Sequence, residues 1–206
     1  MTFDTAIQHC EHCNQKYIVN TMMSYNTFGA TLWTDGECVN HGYIKPIKVF
    51  KCNTCFKINW VKTQPERTNI CNINFDNIKP MPYPSKELYE EIILNKLYTN
   101  IDDEIYIRLE YWHLCNNKNK SDKFMLDKNN SCLIDNLYCL LKIFERDEEN
   151  LDYQLLRCEI LRELELFENA MQVLVKIDNM NIPNEVITLF ENLINKKDAR
   201  IQQVIY

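Results

Sequence analysis

Glycine is nearly missing from this chain: three residues among 206, at Gly29, Gly36 and Gly42. A phosphate cradle needs several glycines so that the backbone can approach the ligand, and neither a Walker loop nor a dinucleotide glycine fingerprint is present. A G-x-S-x-G elbow and an H-E-x-x-H motif are also lacking. No apolar run approaches the roughly 18 to 20 residues that span a bilayer. The N-terminal MTFDTAIQHCEHC has no basic start followed by an apolar core. These absences predict a noncatalytic, cytoplasmic chain without a membrane segment. At 46% hydrophobic it has enough apolar material to bury a core.

What the chain has in abundance is cysteine, ten in all. Four of them form two Cys-x-x-Cys pairs, Cys10/Cys13 and Cys52/Cys55, with thirty-eight residues between the pairs. Two residues between thiolates let one tight turn present both sulfurs to the same ion, and a second such turn completes a tetrahedron. The spacing predicts a zinc ribbon holding one structural Zn2+ on Cys10, Cys13, Cys52 and Cys55. Four thiolates close the coordination shell, whereas a catalytic zinc keeps a position for water. His9, His12, Cys38 and His41 are alternative ligands by proximity or spacing, but the four cysteines already satisfy the ion. Cys38, Cys71, Cys115, Cys132, Cys139 and Cys158 fall mostly in helical apolar patterns and read as reduced, core-forming thiols, not a disulfide framework.

Charge is uneven. Residues 1–63 carry a net +2 and residues 64–206 a net −8, together −6. A bound tetrathiolate zinc adds about two negative charges and leaves the ribbon near neutral. Lys45, Lys48, Lys51, Lys57 and Lys62 with Phe50, Phe56 and Trp60 form a modest basic-aromatic strip, so nucleic-acid binding is the second expectation behind a protein partner for the acidic region.

The pattern divides into a zinc ribbon over 1–63, a proline-containing connector over 64–85 and an α-helical region over 86–206, an α+β protein. Strands are expected at Lys16–Met23, Phe28–Trp33, Ile44–Phe50 and Phe56–Val61, with a turn at Asp35-Gly36. Phe28 and Trp33 are expected to pack the ribbon's small core. Ser85 should cap a helix from Lys86. Helices are expected at Lys86–Leu97, Asp103–Cys115, Cys132–Glu145, Leu151–Leu164, Glu168–Ile177 and Glu185–Asn195, with a short tail helix from Asp198 and a loop over NNKNKSDKFMLDKNNS. Tyr111-Trp112-His113 reads as packing surface, with no acid or nucleophile at motif spacing.

Two resemblances add to this reading. Cys158, Leu161, Phe167, Ala170, Leu174, Ile177 and Pro183 resemble a tetratricopeptide helix-turn-helix unit, with Glu165 where that repeat has a helix-ending glycine. Cys10-Glu-His-Cys13, the stretch SYNTFGATLWTDG (24–36) and Lys51-Cys52-Asn-Thr-Cys55 resemble a group of largely uncharacterised bacterial proteins with an NTFGA...WxDG signature. In that group a zinc ribbon precedes a tetratricopeptide-like helical region. The resemblance implies an architecture, not an activity. Asn14 and Phe56 replace the glycine common after each knuckle, and because Phe resists a left-handed backbone the second knuckle is expected to be distorted. A noncatalytic protein-interaction module follows as the leading expectation, with an antidote or immunity protein for a basic toxin as its specific form.

Overall fold

The structure, a computed structural model, describes residues 2–24, 29–40, 45–61, 78–122, 126–177 and 182–204. It is a mixed α+β chain that separates into two compact units, residues 1–29 with 40–88, and 30–39 with 89–206.

In the first unit, β1 (Thr2–His9) and β2 (Lys16–Ser24) pair antiparallel, with Ile7 opposite Ile18. β1 was not expected from sequence, because Ala6, Ile7 and Gln8 are all buried and so carry no period-two signal. β5 (Val49–Lys51) and β6 (Ile58–Trp60) form a second hairpin, and β7 (Lys79–Pro80) joins β2 in parallel. Proline lacks an N–H and is tolerated at such an edge. Among the described residues of the expected Ile44–Phe50 strand, strand structure begins at Val49, since Pro46 interrupts that run; Ile44 lies outside the described residues. Cys10, Tyr17, Val19, Phe50, Cys52 and Met81 form the core of this unit.

The second unit holds β3 (Thr31–Trp33), β4 (Cys38–Val39) and β8 (Gln203–Val204) in one small sheet, β3 central. Its helices are α1 (Lys86–Asn95, whose first turn falls at the division), α2 (Ile101–Asp122), α3 (Ser131–Phe144), α4 (Leu151–Glu163), α5 (Phe167–Ile177) and α6 (Asn184–Asn195). From α2 onward each helix packs on the next. Asparagine starts three of them, α2, α3 and α4: Asn100, Asn130 and Asn150 accept from the N–H of Asp103, Leu133 and Tyr153, while Ser85 accepts from Leu88 at α1 as expected.

α2 runs to Asp122 instead of stopping at Cys115, since 116–122 contains neither glycine nor proline to end it. The tail helix from Asp198 is absent. Lys197 takes a left-handed φ of 52°, its N–H and that of Asp198 donate to Ile194 and Leu193, and the chain leaves α6 to form β8. Finally, Trp33 does not pack the ribbon core: β3 pairs with β8, Leu32 opposite Val204 and Trp33 opposite Gln203, and the ten residues 30–39 belong to the helical unit. Phe28 lies outside the described residues.

The apolar centre of the helical unit joins Cys158, Leu161, Ala170, Leu174, Ile177 and Phe190, with Phe167 packed against them. Cys158 and Ala170 allow close approach of α4 and α5, Cys158 Sγ lying 3.5 Å from the Ala170 carbonyl. Glu165 accepts the left-handed turn that glycine usually makes, φ 62°, with Leu166 N–H bonded to Leu161 O.

Candidate metal centre

Both knuckles are built the same way. In the first, Cys10 N–H donates to Gln15 O at 2.8 Å and Asn14 N–H to Cys10 O at 2.9 Å; in the second, Cys52 N–H donates to Lys57 O and Phe56 N–H to Cys52 O, each at 2.9 Å. Asn14 and Phe56 both turn left-handed, φ 61° and 58°. The expected distortion of the second knuckle is therefore absent. Phe56 takes the glycine conformation with its ring in solvent, 69% exposed, so the cost is backbone strain with no steric conflict against the core.

These turns bring the Cys10, Cys13, Cys52 and Cys55 sulfurs within 4.8 Å of one another. Cys10 and Cys55 are 3.5 Å apart, Cys13 and Cys52 3.6 Å. A disulfide would need about 2.05 Å, so the sulfurs are not bonded pairwise. A tetrahedral ion with metal–sulfur bonds of about 2.3 Å separates its sulfurs by about 3.8 Å, and the donor set fits that shell. It is the one group of three or more metal-ligating side chains among the described residues. His9, His12 and Cys38 are outside it: His9 Nδ1 is 3.0 Å from Asn14 Oδ1, His12 is exposed and Cys38 is exposed on β4. His41 lies outside the described residues.

The surroundings are arranged for thiolates. The Tyr17 hydroxyl accepts from Asn53 N–H at 2.9 Å and lies 3.1 Å from Cys52 Sγ, to which it is left to donate. Burial disfavours ionisation of Cys52, but the Tyr17 hydroxyl and the Cys55 and Thr54 N–H groups outweigh it and draw the thiol down to about 6. Cys13 is the reverse. The Gln15 N–H favours its thiolate, yet desolvation and the neighbouring thiols push it up to about 12. Cys55 is also raised, despite the Lys57 N–H that lowers it. Crowded sulfurs share few charges on their own, and a divalent cation removes that restraint.

Two supporting residues were not singled out from sequence. Tyr17 lies on β2 where nothing but its apolar neighbours marks it, and its ring meets Phe50 edge-on at 5.2 Å. Asn59, 2% exposed, ties the knuckles together by accepting from Glu11 N–H and donating to Lys57 O, each at 2.9 Å. Phe50 is fully buried, which removes it from the basic-aromatic strip; Phe56 remains exposed, Trp60 is half-buried and Lys62 lies outside the described residues.

A second constellation lies within the helical unit, around the Trp33-Thr34-Asp35-Gly36 turn. Thr34 donates to Glu159 at 2.5 Å and accepts from Gln202 N–H at 3.1 Å. Glu159 pairs with Arg162, Nη2 to Oε1 2.5 Å, both side chains fully buried, and Arg162 also donates to the Asp198 carbonyl. His113 Nε2 meets the Asp35 carbonyl at 3.0 Å, Trp112 Nε1 donates to Glu163 at 3.1 Å, and the Asn116 amide donates to both Asp35 and Glu163, at 3.1 and 3.3 Å. Burial, then the Glu159 and Asp35 carboxylates, hold the Glu163 carboxyl well above the usual range. Tyr111-Trp112-His113 is thus packing surface turned inward.

No family model, curated protein or solved structure matches this chain. Among the described residues no helix is long and apolar enough to cross a membrane.

Proposed function

We propose that this protein is a noncatalytic interaction module in which a structural tetrathiolate zinc staples the β-rich unit and the acidic helical unit receives a protein partner. The observation that carries it is the four-sulfur cluster: two matching knuckles, hydrogen-bonded sulfurs and no place in the donor set for water. Small β-units of this size rarely hold together without a metal, which gives the zinc its task. The net −8 on residues 64–206 supports a basic partner, and the antidote form of the reading pairs that surface with a basic toxin. Membership of the NTFGA...WxDG group and a tetratricopeptide-like helical layer are part of the same proposal, supported by the two knuckles and by the close α4–α5 packing at Cys158 and Ala170.

The test is an affinity-tagged pull-down from the native host, with and without nuclease, read by mass spectrometry. A nuclease-resistant protein at near-equal stoichiometry supports the reading. A nuclease-sensitive set of ribosomal or transcription proteins would move the function to nucleic acid, for which the exposed Phe56 beside Lys57 is the supporting observation.

A further inference from the structure

Between β3, α4 and α6 of the helical unit lies an open cavity of about 510 Å3. Its walls are apolar, with Leu32 and Trp33 from β3, Leu155 and Leu156 from α4, and Val186 and Phe190 from α6. Leu32, Trp33, Leu155 and Leu156 are only half-buried, so apolar surface remains to be covered. Its volume falls in the range of pockets that hold a ligand or an anchoring side chain, roughly 300 to 1,000 Å3.

The one charged residue in its lining is acidic. Asp152, exposed, is part of the lining, and α6 carries exposed Glu185 and Glu191 with no lysine or arginine. The two basic side chains on α4 are both paired: Arg157 with Glu145 at 2.8 Å, and Arg162 with Glu159 in the interior. β3 has none.

We infer that this cleft is the docking site for a basic amphipathic helix of a protein partner, which inserts apolar side chains between β3, α4 and α6 and sets lysines or arginines against Asp152 and the α6 glutamates. This rests on the interaction-module reading and deepens it. Apolar anchors at i and i+3 or i+4 suit a groove walled by two helices and a strand, and a cationic flank gains from the acidic rim both in encounter rate and in discrimination.

The test uses the full-length, zinc-loaded protein and two labelled helical peptides of about 14 residues. One is built of leucine and lysine, the other of leucine and glutamate in the same pattern, and binding is read by fluorescence anisotropy. The lysine peptide should bind and the glutamate peptide should not. Leu155→Trp, which fills the cleft, should weaken binding about tenfold or more, and Asp152→Lys about threefold with a smaller salt dependence, both variants keeping the wild-type circular dichroism. Failure of the lysine peptide to bind, equal binding of both peptides, or binding unaffected by Leu155→Trp would overturn the assignment. Tighter binding after removal of residues 205–206 would overturn it in favour of the chain's own C-terminus as occupant. A wild-type dimer that Leu155→Trp dissociates would overturn it in favour of a second copy. Repeating the pull-down with Leu155→Trp separates the two claims: a partner still retained leaves the interaction module standing and removes only the cleft.

Discussion

A left-handed backbone on a residue with a Cβ costs about 1–2 kcal/mol, yet Asn14, Phe56, Lys96, Glu165 and Lys197 all adopt it. Lys96, Glu165 and Lys197 each close a helix with the same pair of backbone bonds, at positions where glycine is usual. Lys197→Gly should therefore stabilise the helical unit by about 0.5–1 kcal/mol, the relieved strain less the added freedom of the unfolded chain, measured by urea denaturation. A loss of stability would mean that the lysine side chain holds the turn. Glu163 supplies the pH dependence. Its carboxyl is raised in the fold, so the stability it contributes is fully present below the unfolded carboxyl range and is lost as pH rises toward the folded value. The helical unit should weaken steadily from about pH 4.5 upward. Glu163→Gln should flatten that decline, as read from thermal melts across pH, and an unchanged slope would assign the dependence to another group.

At the scale of elements, the decisive piece is the short turn 33–36. Gly36 has φ 78°, and a Cβ there would meet Leu156 Cδ2 at 2.8 Å. Gly36→Ala should cost about 1–3 kcal/mol, from backbone strain and from the displacement of Leu156, and should be visible as a lower urea midpoint. Arg162→Met should cost more, about 3–5 kcal/mol, because it leaves Glu159 buried without its counter-charge. Little of this was legible in the sequence. The knuckles were, since their chemistry repeats at short spacing, and so were helix starts such as Ser85 and the apolar face of α3. The pairing of β3 with β8 was not: Thr34 and Gln202 meet across 168 residues, and nothing local in Trp33-Thr34-Asp35-Gly36 tells a ribbon turn from a turn that plugs a helical core. The tail beyond Lys197 misled for a related reason, since charge and short apolar spacing there suit a helix until a strand offers its edge.

For the whole molecule, the order of the chain places a segment of the helical unit between the two knuckles. Residues 30–39 belong to the helical unit but lie in sequence between Cys13 and Cys52, inside the loop that a bound metal would close. Shortening that loop in the unfolded chain lowers the entropy cost of docking. Cys52→Ser should lose the metal, unfold the β-rich unit and also speed amide exchange at β3 and β8 while leaving α3 better protected. Exchange at β3 and β8 that ignores the metal would show the helical unit to be independent. Zinc K-edge X-ray absorption on the purified protein tests the closed four-sulfur site most directly. The predicted result is one zinc per chain with four sulfur neighbours at about 2.3 Å and no nitrogen or oxygen. A shell containing nitrogen or oxygen, or zinc well below one per chain, would contradict it.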